Sequence, residues 1–332
     1  MNLQHRIYLL SRLGDYILAN GPDWRQVVER AGNENGWFIP EFVDMAAKNI
    51  AKSFLNPEKL AAWADENHVP DLRNDPKKVG IIMAGNIPLV GFHDWLAVFI
   101  SGHTSIIKPS ARDQVLIKHL TGLLAGWDSA AGTSTEYADM LKGLDAYIAT
   151  GSNNSSRYFE FYFSRYPHII RKNRTSVAVL DGTETTAELE ALADDVYLYF
   201  GLGCRNVTRI FVPEEYDFVP LLEAFRKYNH LADHHKYKNN FDYNLALHLL
   251  NKQYYMTNGS ILLVEAPSFF SPISQLNYSF YPDKEALMGA LQNREDIQAV
   301  SGHGFIPFGQ NQCPAVSDFA DGVNTLSFLN SL

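Results

Sequence analysis

VGIIMAGNIP, residues 79–88, is the stretch on which the reading of the fold turns. A compact apolar run, Val79–Ala84, follows the break at Pro76 and ends in the turn pair Gly85-Asn86. A short apolar run bounded by turn residues is a buried strand entering a loop. Downstream, strand and helix patterns alternate: PLVGFHDWLAVFIS is helical, TSIIKP a strand, RDQVLIKHLTGLLAGW helical, AYIAT a strand, and a helix lies within SSRYFEFYFSRY. TSVAVL then reads as a strand and TTAELEALADDVYLYF as a helix. Such alternation predicts βαβ units and a mostly parallel sheet covered by helices.

Upstream, residues 1–70 are helical, because LQHRIYLLSRLGDYIL, DWRQVVERA and IPEFVDMAAKNIAKSFL each repeat apolar residues at spacings of three and four. Past residue 204, VTRIFV and SILLVEA read as strands separated by a helical stretch from Phe218 to Lys252, and PISQLNYSFY, KEALMGAL and FIPFG form a mixed remainder. A chain of 332 residues that is 46% apolar has the material for two packed domains. Its net charge of −9 carries no basic run, which argues against nucleic acid or anionic lipid as partner. No segment has the length and hydropathy of a membrane span, and Arg6, Arg12 and Asp15 interrupt the N-terminal apolar residues, so no signal-peptide core is expected. Two cysteines make no disulfide framework and fit a reducing, cytoplasmic setting.

Cys204 is the sharpest chemical feature. It sits in a glycine-rich turn, GLGCRN, between a helix and a β-branched run. Such a turn can expose a sulfur and bring backbone N–H groups to whatever bonds it, so a thiolate there can attack a carbonyl and have its oxyanion stabilised. The alternative is a buried small hydrophobe. Asn86, Lys108 and the trio Thr150, Gly151 and Ser152 each follow a strand at the edge where α/β proteins bind ligands. An amide donor, an ammonium for ribose or phosphate, and small hydroxyl residues for a pyrophosphate are the chemistries on offer. Each also has an ordinary reading as a turn, a strand end or a helix cap, and the G-x-G-x-x-G fingerprint is missing. Their joint order, three such junctions ahead of one cysteine, argues for a site. His230, His234 and His235 read as a helix surface, Cys313 as a plain loop residue, and no metal site follows.

GNIPL, IIKPS, ATGS and GLGCRNVTRIFV together resemble, in order and spacing, the motifs of the aldehyde dehydrogenase superfamily, and within it the LuxC-type acyl-CoA reductases. The resemblance covers about residues 75–280. It implies an α/β, aldehyde dehydrogenase-like fold with a Rossmann-type dinucleotide-binding domain and a shortened catalytic domain. A change of pattern near residue 182 sets the boundary between them, which gives a helical N-terminal segment (1–75) packed on the cofactor domain, the dinucleotide-binding domain (76–182), the catalytic domain (183–305), and a C-terminal segment (306–332) that returns to the cofactor domain or makes an oligomer contact. It implies Cys204 as nucleophile, Asn86 as oxyanion donor, Lys108 on the adenosine ribose, Ser152 near the pyrophosphate with Thr150 and Gly151, and Phe270 of PSFFSPI beside the nicotinamide. Three departures matter. KNRTSVAVL holds no counterpart of the glutamate that activates water in aldehyde-oxidising members, which favours exchange of an acyl group with a thiol. Ala111 replaces the acid that follows the ribose lysine, and with Ser110 and Arg112 beside it a 2′-phosphate is eased in, so NADPH is expected over NADH. Ser268 stands where the family has a ribose-binding glutamate. The implied activity is reduction of an acyl-CoA or acyl-carrier thioester to an aldehyde, with an acyl-donating synthetase and a second copy of the chain as further partners. The alternatives are a non-catalytic binding subunit and an aldehyde-oxidising dehydrogenase.

Overall fold

The structure, a computed structural model, describes residues 1–292 and 294–332. The chain forms two compact units, one of Met1–Asn173 with Pro314–Leu332 and one of Arg174–Cys313.

The first unit begins with helices Leu3–Ala19, Pro22–Glu34, Pro40–Ser53 and Pro57–Glu66. Pro22, Pro40 and Pro57 open three of them, where the missing N–H costs no bond and the fixed φ suits the first turn. Leu10, Leu13, Trp24, Val43, Leu60 and Trp63 from these helices enter one core with Val79, Ile81 and Trp95. The sheet beneath is parallel throughout and contains β1 (Lys78–Ile82), β2 (Thr104–Lys108), β3 (Thr135–Tyr137), β4 (Ala146–Thr150) and β5 (His168–Arg171) in the order β3-β2-β1-β4-β5. That is the strand order of a dinucleotide-binding sheet, with its switch point between β1 and β4.

Arg171, the last residue of β5, ties the C-terminal segment into this unit. Its buried guanidinium donates to Asp94 Oδ1 at 2.7 Å, to the Ala320 carbonyl at 2.7 Å and to Thr325 Oγ1 at 2.9 Å. Helix Thr325–Asn330 then places Leu326 and Leu329 in the same core.

The second unit has a sheet of β6 (Thr175–Val179), β7 (Val207–Pro213), β8 (Met256–Thr257), β9 (Leu262–Glu265), β10 (Gln275–Tyr281) and β11 (Ile297–Gly302) in the order β11-β6-β7-β10-β9-β8. Only the β8–β9 pairing is antiparallel among the described strands. Helix Thr186–Tyr197 carries a full capping box, with Thr185 Oγ1 accepting from Glu188 N–H and the Glu188 carboxylate accepting in return.

Strands β1, β2, β4, β6, β7 and β9 fall where the apolar runs place them. The pattern change near residue 182 does not mark the division between units, which lies at Arg174: TSVAV pairs with β7 and β11 and so belongs to the second sheet. Of the C-terminal segment, residues 314–332 belong to the first unit and 306–313 to the second. No helix among the described residues is long and apolar enough to cross a membrane.

Arg171→Met strands the Asp94 carboxylate in a dry site, and loss of one partner of a buried ion pair costs about 3–5 kcal/mol. Chemical denaturation of the variant is expected to show a loss of that size, largely recovered by Asp94→Leu in the same chain.

Candidate active site

The first unit brings three of the sequence's ligand-capable junctions to one sheet edge. Ile82 of β1 is paired with Lys108 of β2 on one side and Ala149 of β4 on the other. Because the strands are parallel, the loop holding Asn86, the Lys108 side chain and Thr150–Ser152 all leave from their carboxyl ends. Lys108 is exposed, as is Arg112, and neither is in an ion pair among the described residues. Ser152 is the cap of helix Asn153–Phe163, its Oγ accepting from Ser155 N–H. Gly151 is half-buried, and a Cβ there would meet Phe159 at 2.8 Å and Ser155 at 2.9 Å.

Asn86 is half-buried in a loop pinned from two directions. A Cβ on Gly85 would come within 2.5 Å of Ser110 Oγ, so the backbone before Asn86 lies directly against the loop after β2. Three residues beyond Asn86, Leu89 has φ +58°, and its N–H donates to Asp113 Oδ2 at 2.6 Å. Burial pushes the Asp113 carboxyl well above the usual carboxylate range, against the opposing pull of the Leu89 N–H. Ser110 Oγ also accepts from Arg112 N–H at 3.2 Å, which shapes the stretch from Lys108 to Arg112.

In the second unit, helix Thr186–Tyr197 ends in a left-handed turn. Tyr199 and Phe200 have φ 56° and Gly201 φ 73°. Leu202 and Gly203 follow, and then the half-buried Cys204, whose carbonyl accepts from Ser176 Oγ at 3.0 Å. Gly203 N–H donates to Asn206 Oδ1 at 2.8 Å, and Asn206 N–H donates back to the Gly203 carbonyl at 3.1 Å. The thiol therefore stands in a tied four-residue turn at the head of β7.

Phe270 is half-buried in a segment attached to the same strand. Thr208 Oγ1 donates to the Phe269 carbonyl at 2.6 Å, and Asn277 Nδ2 donates to the carbonyls of Ser268 at 3.0 Å and Phe270 at 3.2 Å. The Ser268 hydroxyl is used within its own turn, donating to the Phe270 carbonyl and accepting from Phe270 N–H. Of the aromatics near these motifs, Trp95, Phe99, Tyr199 and Phe200 are buried. Cys313 is exposed.

Asp181, Glu184 and His303 bring metal-type ligand atoms within 4.8 Å of one another. Each of the three already takes part in hydrogen bonds within the chain. His303 bridges Asp181 at 3.0 Å and Glu188 at 2.9 Å, and Glu184 accepts the N–H groups of Asp181 and Gly182. The two carboxylates hold His303 protonated above its ordinary range, Glu188 first, and Glu188 itself is drawn down to about 2, first by the Thr185 N–H.

A sequence model of the family described as acyl-CoA reductase (LuxC) matches residues 49–224, more than half of the chain. The chain belongs to that family. Membership makes this LuxC-family protein an aldehyde-dehydrogenase-type oxidoreductase. Solved structures with the same fold include an NADP-dependent enzyme of E. coli (12% identity, TM-score 0.67, covering 91% of this chain and 73% of the other). A Mycobacterium tuberculosis aldehyde dehydrogenase complexed with NAD+ is similar (14%, 0.64, 91% and 73%). So is aldehyde dehydrogenase 21 of Physcomitrella patens (11%, 0.65, 91% and 74%). At these identities the likeness is one of fold. No curated protein matches in sequence.

In this LuxC-family chain the polar residues that hold the loops, Asp113, Ser176, Asn206 and Asn277, escape a reading that looks for reactive groups. A signal existed for one of them: an Asn immediately before a β-branched strand is a side chain about to be buried with its hydrogen bonds unassigned.

Asp195 generates the pH prediction. It is fully buried on helix Thr186–Tyr197 and accepts from Gly309 N–H at 2.7 Å and Asn311 N–H at 3.1 Å, yet desolvation pushes it up to about 7. Its folded value lies above the unfolded one, so the folded state binds the extra proton between them and stability falls as pH rises from about 4 through 7. Melting temperature measured across that window is expected to drop toward the alkaline end, and Asp195→Asn, which carries no charge, to flatten the slope.

Proposed function

We propose that this protein reduces an acyl thioester, an acyl-CoA or acyl-carrier thioester, to an aldehyde through an acyl-enzyme on Cys204, with NADPH as reductant. The observation that carries the reading is the family match over a segment that contains Asn86, Lys108, Ser152 and Cys204 together.

On this reading the Cys204 thiolate attacks the thioester carbonyl, and the Asn86 amide with the Cys204 backbone N–H donates to the oxyanion. The departing thiol leaves Cys204 acylated. A bound reduced nicotinamide supplies the hydride for the acyl carbon. Collapse of the tetrahedral adduct then breaks the C–S bond, returns the Cys204 thiolate and releases the aldehyde. The residues of the first unit suit a phosphorylated dinucleotide: Lys108 and Arg112 are exposed cations on one sheet edge, the position between Ser110 and Arg112 is an uncharged Ala111, and Ser152 caps a helix whose N-terminus favours phosphate. Lys108 would hold the ribose, Ser110 and Arg112 the 2′-phosphate side, Thr150, Gly151 and Ser152 the pyrophosphate, and Phe270 would pack on the nicotinamide. NADH remains the alternative reductant, and the test below includes it.

Purified protein with a panel of acyl-CoAs and either NADPH or NADH is to be followed by nicotinamide absorbance and intact mass. Consumption of NADPH and an acyl adduct on Cys204 are expected. Cys204→Ala should form no adduct, Asn86→Ala should turn over on the order of 10²–10³ more slowly, and Arg112→Glu should lose the preference for NADPH. No consumption and no adduct across the panel would assign the chain to a non-catalytic binding subunit; reduced nicotinamide formed from an aldehyde without CoA would assign it to aldehyde oxidation.

A further inference from the structure

The turn that carries Cys204 is strained, and one buried side chain bonds to the backbone on both sides of it. Tyr199 and Phe200, both non-glycine and both buried, hold the left-handed backbone region in succession, a conformation that L side chains rarely adopt. Strain of this kind survives only where the surroundings over-determine it. Phe200 is anchored against the rings of His234 and Tyr237, with centroids 4.6 and 5.8 Å away. The backbone on either side is held by Asn206, which is fully buried.

Asn206 Nδ2 donates to the carbonyls of Leu198 at 2.8 Å and Asp195 at 3.0 Å, with Val196 at 3.4 Å. These carbonyls lie where the regular ladder of helix Thr186–Tyr197 gives way to the turn that follows it. The other face of the same amide, Oδ1, accepts Gly203 N–H at 2.8 Å. A single planar group thus joins the end of helix Thr186–Tyr197 to the residue preceding Cys204, across the left-handed turn. Ser176 holds the far side, its Oγ donating to the Cys204 carbonyl and its N–H to the Asn206 carbonyl at 3.1 Å.

We infer that Asn206 is the positioning residue of the nucleophile, setting the place of Cys204 by clamping Gly203 to the helix end. The inference rests on the assignment of Cys204 made above. An amide is required because donors and an acceptor are needed on one plane; alanine supplies neither, and an ionised aspartate supplies only the acceptor while facing the carbonyls with a negative charge.

The test uses the full chain with Cys313→Ser, so that Cys204 is the sole thiol. Acylation by the acyl-CoA that loads the parent fastest, alkylation by iodoacetamide and NADPH affinity are each measured for the parent, Asn206→Ala and Asn206→Asp. Misplacing a reacting atom by about 1 Å costs up to about 100-fold, so Asn206→Ala is expected to acylate about 10- to 100-fold more slowly. A loosened turn should let the small reagent alkylate Cys204 severalfold faster, and NADPH affinity should stay within about twofold. Asn206→Asp should narrow its deficit relative to the parent as pH falls, because the protonated carboxyl regains a donor. Folded variants whose acylation and alkylation stay within twofold of the parent at every pH would overturn the inference. So would failure of both variants to fold, which would assign Asn206 to stability alone. If no acyl-CoA loads the parent, the reductase reading fails and the alkylation ratio by itself decides the positioning role.

Discussion

The register of β1 is the constraint on which the first unit's chemistry depends. Ile82 lies between Lys108 and Ala149, and this alignment makes the loops after three strands, far apart in sequence, leave from one edge. A slip of one residue would turn Val79 and Ile81, both fully buried, out of the core. Register is therefore fixed by apolar burial, and the shared edge from which Asn86, Lys108 and Thr150 depart follows from it. Since β1 and β4 flank the switch point, the Asn86 loop and the Thr150–Ser152 turn diverge there and open the crevice where α/β sheets bind ligands.

Pairing delivers these residues to an edge, and close backbone approach then fixes them. Gly85 against Ser110, and Leu89 on the buried Asp113, lock the loop of β1 to the loop of β2. The second unit uses the same kind of device at Cys204, where an amide spans a left-handed turn. In both units left-handed non-glycine backbone occurs within a few residues of the position that motif order marks for chemistry, Leu89 beside Asn86 and Phe200 beside Cys204. Backbone held off its preferred region by buried polar bonds resists relaxation, which is what a reacting group requires of its support.

This division explains what could be read from the sequence. Buried parallel strands announce themselves, because Val79–Ala84 or Thr175–Leu180 leaves little doubt of an apolar strand, and their ends locate the ligand-capable residues. Strand β10 does not, although it lies between β7 and β9: its alternation is broken by Asn277, fully buried, whose amide is taken up by Ser268 and Phe270. β3 and β5 are edge strands of three and four residues, too short for a period to register. The division at Arg174 is similarly silent, since strand partners and not composition decide to which sheet TSVAV belongs. The left-handed turn is invisible for a related reason. TTAELEALADDVYLYF keeps helical periodicity through Phe200, but the helix ends at Tyr197, where Asn206, distant in the pattern, takes up the carbonyls of Asp195 and Leu198.

Strand β6 bears on the fate of an acyl group held at Cys204. All five of its residues are buried, and none is a carboxylate. By resemblance to aldehyde-oxidising members this region would supply the base that activates water, but its nearest polar side chain, Ser176, donates its hydroxyl to the Cys204 carbonyl. A glutamate introduced on this strand would need room and solvation that a fully buried parallel strand does not offer. On the proposed reading, β6 thus supplies no side chain that could draw a proton from water to hydrolyse the acyl group. Discharge of that group by a bound reductant or an incoming thiol is the course the proposed reading requires, and a strand without a carboxylate is compatible with it.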